Sequence, residues 1–474
     1  MSTTRNTNQS ANEMAAAGAR ELPVLVWKFG GTSVKDQDRL RAVAERMVEA
    51  QRSGRRVVAV LSAMGKTTDE LSGMAYQMSS RPQMRELDAL LSVGEQISCA
   101  LASMAVHELG SRAVSFNGAQ AGILTDGAHG NARLRDVCPE RITAALNDGA
   151  IALVTGFQGV SPDGAVTTLG RGGSDASAVA VAAALGVHEC EIFTDVPAVF
   201  TADPRVVPNA RRIHELRHEE MLEMAEAGAG VLQPRSVELA AAHGVDIHLR
   251  SSYSTEQGTW IRRGGSAFED AEVAGVAHRR QEPLYAVTGV SAAELTLALA
   301  ERGAAIGTIL PADGELRFSV PGVEAAEVAA AVGTLGAVVS THRELGTVSV
   351  VSLGIARKPA LVARALRALT DAGIEPEFVT TSTGRVTVHV ASSAVDDAVR
   401  LLHETFIERT ERTQGNAART AAEAARPTVG STRAKAAVNR AAEFAVVRAA
   451  EAAVAQAAEG TVTDLHQVAP KGAA

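Results

Sequence analysis

Lys28 stands two residues ahead of Gly30-Gly31 and four ahead of Thr32-Ser33, the setting of a cation that meets an anionic ligand. The apolar run over 22–26 before it has the Val and Leu content of a buried strand. Gly30-Gly31 lets the backbone turn and approach a ligand with no Cβ in the way, and Thr32 and Ser33 are suited to cap a helix over 35–50. Helix N-terminal amides attract anions and a lysine adds a full charge, so the stretch has the makings of a phosphate-binding corner, although an ordinary β-to-α turn uses the same glycines. A second anion site is written in T-T-L-G-R-G-G-S-D, residues 167–175. Arg171 can offer paired donors to a carboxylate, and the Gly172 and Gly173 amides with Ser174 open a helix over 176–185. Glu95, in S-V-G-E-Q-I-S among Leu90, Leu91, Val93 and Ile97, is either turned to water or kept for a cation.

The elements that position these residues alternate in type. Leu40, Val43, Ala44, Met47 and Val48 recur at helical spacing, and 56–61 has the composition of a second buried strand, which makes a β-α-β unit. It ends in the hydroxyl-rich S-A-M-G-K-T-T-D-E-L of 62–71, at a strand's carboxyl end, where open α/β sheets place their ligands and where Thr67, Thr68 or Asp69 can also cap a helix. Further strands are predicted over 113–116 and 151–155, separated by the polar loops F-N-G-A-Q-A-G-I-L-T and H-G-N-A-R, and another strand delivers E-I-F-T-D-V-P-A-V-F-T-A-D-P-R over 191–205.

K-F-G-G-T-S-V resembles the N-terminal signature of aspartate kinases, in the amino-acid kinase superfamily, and no Walker loop occurs in the chain. The likeness recurs in the family's order through 62–71, 92–98, 167–175 and 191–205, so the chain is identified as a member over roughly residues 22 to 408. The resemblance implies an α/β fold: a three-layer αβα amino-acid kinase (carbamate kinase-like) domain with a mainly parallel sheet over 22–264. It implies an ATP- and Mg²⁺-dependent transfer of phosphate to L-aspartate, giving ADP and 4-phospho-L-aspartate, the first step toward lysine, threonine and methionine. Lys28, Gly30, Gly31 and Ser62 would then lie at ATP, with Thr194, Asp195, Phe200, Asp203 and Arg205 as further nucleotide residues and Asp195 orienting the lysine. Thr68 and Glu95 would hold aspartate, Glu95 by its α-amino group, and Arg171, Gly172, Gly173 and Ser174 would receive its α-carboxylate.

Two departures from the family pattern stand out. Where D-V-D-G-V-Y is usual, the chain has Asp195-Val196-Pro197-Ala198-Val199-Phe200, losing an acid and a glycine. Where G-A-K-V-L is usual, it has G-A-G-V-L, so Gly230 replaces a phosphate-contacting lysine, for which Lys28, a metal ion, Arg205 and Arg235 are possible partial substitutes. Both changes leave open a kinase of altered acceptor, or a catalytically impaired regulatory paralogue.

From about residue 282 short Val-rich runs alternate with Ala/Leu helices, as in two tandem β-α-β-β-α-β modules over 282–346 and 347–408. The resemblance makes these ACT modules, with a homodimer or higher homo-oligomer through them. Their effector loops are worn: the usual G-M-x-x-x-P-G is G-I-A-R-K-P-A at 354–360, which predicts weak feedback inhibition. Residues 1–21 are expected to be a disordered arm, and 409–474 an Ala-rich, partly helical tail. A net charge of −8 without a basic stripe points away from nucleic-acid and membrane surfaces, and no run is expected to be long and apolar enough to span a bilayer. Three cysteines without C-x-x-C fit a cytoplasmic protein with no metal site of its own.

Overall fold

Val24–Phe29 (β1) is the centre of the kinase-domain sheet in the computed structural model, which describes residues 22–264, 273–312 and 314–409. On one side β1 pairs in parallel with Arg56–Leu61 (β2), beyond which lie Ile151–Thr155 (β6) and Ala113–Phe116 (β3). On the other side it pairs in parallel with Glu189–Thr194 (β9), followed by Asp246–Ser251 (β11), Thr259–Arg262 (β12) and Glu215–Arg217 (β10). Only the β11–β12 pairing is antiparallel. Chain order therefore reverses beside β1, and its carboxyl end is the switch point where an open α/β sheet leaves a crevice.

Alternation along the buried strands sorts side chains into two cores. Val26, Val58, Val60, Ala152 and Val154 face a layer that includes helices Glu140–Asn147, Gly173–Ala184, His218–Glu226 and Pro234–His243. Trp27, Phe29, Ala59, Leu61 and Leu153 face helices Gln37–Arg52 and Val93–Glu108. The result is the three-layer arrangement expected. A smaller sheet of Leu134–Val137 (β5), Ile123–Thr125 (β4), Gln158–Val160 (β7) and Val166–Thr168 (β8) stands at the rim of the first.

The first helix begins later than Thr32 and Ser33 suggest. Gly31–Val34 makes one 3-10 turn, and the α-helix starts at Gln37 with Asp36 as its cap, Oδ1 accepting from the Arg39 amide at 2.9 Å. The expectation about membrane-length runs also needs correcting. Met84–Glu108 continues as a helix through Ser92 with a mean hydropathy of 1.5 in its most apolar window, long and apolar enough to cross a bilayer. It carries buried Asp88 and Glu95 and packs Cys99, Ala102 and Val106 against the sheet, so this length serves as a wall of the site.

The C-terminal modules are nested, not tandem. Leu284–Thr288 (β14), Ile309–Ala312 (β15), Glu315–Phe318 (β16) and Val339–Arg343 (β17) form one antiparallel sheet in the order β15-β16-β14-β17. Leu345–Val351 (β18), Phe378–Thr381 (β19) and Arg385–Ala391 (β20) form the other, and its fourth strand is Gly275–Arg279 (β13), which precedes the whole first module. Hydrophobic patterning shows that a strand exists but not which sheet it joins. The second module also takes in part of the kinase domain: Ala202, Val206 and Val207 pack with Val276, Val348 and Val388, and Thr201 Oγ1 lies 2.9 Å from His403 Nε2. The arm over 1–21 and the tail beyond 409 lie outside the described residues.

Candidate active site

The last turn of β1 presents Lys28, buried on the face that meets helix Gly173–Ala184. Its Nζ lies 2.5 Å from Asp175 Oδ1, both side chains about a tenth exposed. Asp175 is in the first turn of its helix, where a carboxylate complements the helix dipole. This differs from the expectation that Asp195 orients the lysine: Asp195 is exposed and accepts from the Thr194 hydroxyl at 3.1 Å. Gly30 and Gly31 both keep negative φ, so closeness is what they provide. A Cβ on Gly30 would sit 3.5 Å from Lys28 Nζ, and one on Gly31 3.0 Å from the Ala63 carbonyl. The Gly30 amide is already donated to Phe193 O at 3.0 Å, which removes it from any phosphate cradle.

Glu95 approaches the same sheet edge from the opposite layer. It is 3% exposed, its Oε1 accepts from the Ala63 amide at 3.1 Å, and its Oε2 has no partner. Burial pushes its pKa up to about 7, against the lowering effect of backbone hydrogen bonds. A buried carboxylate with one open oxygen is suited to a ligand's ammonium group. Ser62 follows β2, its amide on Phe29 O at 3.1 Å, and Thr68 lies in the first turn of helix Thr67–Met78, both half-buried.

Ser174 reaches the edge between these two. It packs on Gly156, where a Cβ would fall 2.6 Å from Ser174 Oγ, and the Gly156 amide donates to Leu61 O at the end of β2. Gly172 adopts φ 72°, and a side chain there would run into Gln233. Helix Gly173–Ala184 thus starts three residues earlier than predicted, with Ser174 inside its first turn. Arg171, just ahead of it, is exposed and makes no hydrogen bond or ion pair with another described residue.

The remaining nucleotide candidates are less concentrated. Arg205 is bound to Asp203 through Nε at 3.0 Å and NH2 at 2.7 Å, which holds the Asp203 carboxyl below its usual range. Phe200 bridges to Arg212 at the start of this segment. Arg235 gives NH1 to Leu169 O and NH2 to Ala132 O, each at 2.7 Å. Neither arginine is therefore a spare cation for the position of Gly230, which is exposed with nothing within 4 Å of its Cβ direction. Ala198, in place of a glycine, is fully buried without positive φ, and the neighbouring Val199 amide is held by Thr259 Oγ1 at 2.9 Å.

Two residues at this edge escaped the sequence reading. Phe157 has φ 68°, the one non-glycine with positive φ among the described residues, and lies against Gly173, whose Cβ would be 3.0 Å from its ring. Backbone strain of this kind on an aromatic residue persists only where its surroundings enforce it. Asp88 is fully buried and accepts from His129, Gly130 and Thr168. Its spacing of seven from Glu95, two helical turns on one face, is a signal that was available.

Residues 23–251 match the amino acid kinase family, and 348–406 match an ACT domain. The aspartokinase of Mycolicibacterium smegmatis is 46% identical over 407 residues, covering 81% of this chain and 96% of that one. The chain belongs to the aspartokinase family. The aspartokinase of Geobacillus stearothermophilus is 43% identical over 397 residues, covering 81% and 97%. The structure of E. coli aspartokinase III in complex with aspartate and ADP, described as the R-state, has the same fold, with a TM-score of 0.68 at 22% identity over 81% of this chain and 99% of that one. The enzyme is an aspartate kinase, a nucleotide-dependent phosphotransferase with a carboxyl group as acceptor.

Proposed function

We propose that Mg²⁺-ATP lies over the carboxyl edge of the sheet with its phosphates at Lys28 and the Gly30-Gly31 turn, and that Ser62, Thr194, Asp195, Phe200, Asp203 and Arg205 border the nucleotide. Aspartate then sits between Glu95, on its α-ammonium, and Arg171 with the Gly172, Gly173 and Ser174 turn, on its α-carboxylate, with Thr68 beside it. The observation that carries this reading is the partnerless Oε2 of buried Glu95, whose other oxygen binds Ala63 just past β2, at the same sheet edge as Lys28, Asp175 and Ser174. The β-carboxylate is ionised at neutral pH and needs no general base. Its oxygen attacks the γ-phosphorus in line, the new P–O bond forms as the bond to the β,γ-bridging oxygen breaks, and ADP leaves with that electron pair. The protein contributes position and charge: Lys28, held by Asp175, faces the moving phosphoryl group.

Among the described residues no three His, Cys, Asp or Glu gather as a metal site. Mg²⁺ would enter with the nucleotide, held by phosphate oxygens as is usual for this ion. We further infer a cytoplasmic homodimer or higher oligomer assembled through the ACT modules, with weak feedback inhibition. Cys99, Cys138 and Cys190 are unpaired, and burial raises the Cys99 and Cys190 thiols beyond their ordinary range, as fits inert thiols in a reducing compartment.

The test is ADP release by purified protein with Mg²⁺-ATP, with and without L-aspartate, and hydroxylamine to trap the acyl phosphate. Aspartate-dependent hydroxamate that is lost in Glu95→Gln at subsaturating aspartate supports the assignment. Hydroxamate formation indifferent to both Glu95→Gln and Arg171→Ala would place the acceptor elsewhere.

A further inference from the structure

Asp88 lies in Met84–Leu91, which runs on through a turn at Ser92 into Val93–Glu108 and Glu95, and its carboxylate is wholly enclosed. Four donated hydrogen bonds converge on it: His129 Nδ1 on Oδ2 at 2.8 Å, the Gly130 amide on both oxygens at 3.0 Å, and the Thr168 hydroxyl on Oδ1 at 2.5 Å. The donors belong to two segments that never meet in sequence. Gly130 takes φ 82°, and any side chain on it would strike Met84 Cε, so the loop lies directly on this helix. Thr168 ends β8, three residues before Arg171.

These two segments are also tied to each other beside Arg171. The Ala132 amide donates to Thr168 O at 2.8 Å, a Cβ on Gly170 would lie 3.0 Å from Asn131 Oδ1, and Arg235 binds the carbonyls of both Leu169 and Ala132. The turn bearing Arg171 therefore stands on a platform whose underside is the Asp88 carboxylate. A buried carboxylate in an apolar helix face is costly unless its hydrogen bonds are satisfied, and satisfied it fixes its partners tightly.

We propose that Asp88 is a positioning residue for the acceptor: it holds the Arg171 turn at a set distance from Glu95, so that the α-carboxylate and α-ammonium of one amino acid are gripped together. This rests on the assignment of Arg171 to the α-carboxylate. The continuous helical stretch through Ser92 then sets both ends of the ruler, Glu95 directly and Arg171 through His129, Gly130 and Thr168. A displacement of the order of 1 Å at a positioning group can cost about 100-fold in rate.

The test compares aspartate with β-alanine, which keeps the amino group and reacting carboxylate but lacks the α-carboxylate. In wild type the kcat/KM ratio favours aspartate. Asp88→Asn and Thr168→Val, which remove one partner each with little change in volume, are expected to lower that ratio by about 10- to 100-fold through the aspartate KM, with the ATP KM within about threefold of wild type. Arg171→Ala should collapse the same ratio, and Asp88→Asn in that background should lower it no further. If Arg171→Ala leaves the ratio intact, the carboxylate assignment fails. If Arg171→Ala collapses it while folded Asp88→Asn and Thr168→Val keep it, or raise both KM values alike, the positioning role fails alone.

Discussion

Lys28 Nζ and Asp175 Oδ1 meet at 2.5 Å across the junction of the central strand and the helix that begins within R-G-G-S-D. The pair joins the two motifs that were separate anion sites in sequence. Arg235 is held by two backbone carbonyls and Arg205 by Asp203, whereas Lys28 is paired with a carboxylate inside the site. Asp175→Asn keeps the shape and removes the charge that aims the ammonium group. Turnover should fall by about 100-fold or more while ATP binding, followed by equilibrium titration, weakens little. A turnover within a few-fold of wild type would show that Lys28 is held adequately by the nucleotide alone.

Gly230 offers the converse experiment. Its Cβ direction is open and its φ is not positive, so a lysine fits without strain. If ATP lies as proposed, Gly230→Lys supplies a second cation for its phosphates, and kcat is expected to rise by about tenfold or more. A fall in kcat in a protein of unchanged thermal stability would mean that the phosphate site has been rearranged around the missing charge.

Glu95 predicts a pH dependence with a definite sign. Its pKa of about 7 exceeds the ordinary carboxylate value of 4.5 because burial penalises the charge. Between those two values the folded protein keeps a proton that the unfolded chain has lost, so the stabilisation present below 4.5 is given up as pH rises toward 7, by an amount on the order of 3 kcal/mol. On the proposed role, aspartate binding needs the ionised form, so the aspartate KM should fall as pH rises through 7, after thermal stability of the free enzyme has declined between 4.5 and 7. Glu95→Gln should flatten both profiles. Melting curves at a series of pH values, with and without aspartate, measure the two together, and a flat wild-type profile would remove Glu95 from the ammonium site.

Much of this site was legible because strand ends and helix starts are written locally. Lys28 on a buried strand and Glu95 on an apolar helix follow from neighbours in sequence, whereas the left-handed cap at Gly172 and the helix start at Gly173 do not. The partner of Lys28 was not, since choosing Asp175 over Asp195 depends on which helix crosses β1. The partners of Asp88 were hidden for a similar reason: they come from 41 to 80 residues away. The nesting of the C-terminal modules was missed because the strand order, β13-β18-β20-β19, repeats that of the first module with an edge strand borrowed from before it. Arg205 and Arg235 looked interchangeable as spare charges, and only their hydrogen bonds show that each is already committed.

Regulation can be argued from the helix starts of the two modules. An amino-acid effector's carboxylate is received best by unsatisfied amides at a helix N-terminus. In the first module these are met internally: Ser291 and Glu294 form a capping box, the Glu294 amide on Ser291 Oγ at 3.3 Å and the Ser291 amide on Glu294 Oε2 at 2.9 Å. In the second, Pro359 at the first helical position has no amide to give, and the Leu361 amide is taken by Lys358 O at 2.9 Å. An effector shifts an equilibrium only by its differential affinity for two states, so lysine and threonine together should inhibit by less than about twofold at saturating ATP and aspartate. Replacing Ser291 and Glu294 with alanine frees two amides and should strengthen any residual response. Strong inhibition of the unaltered enzyme by the pair would show that its effectors bind away from these helix starts.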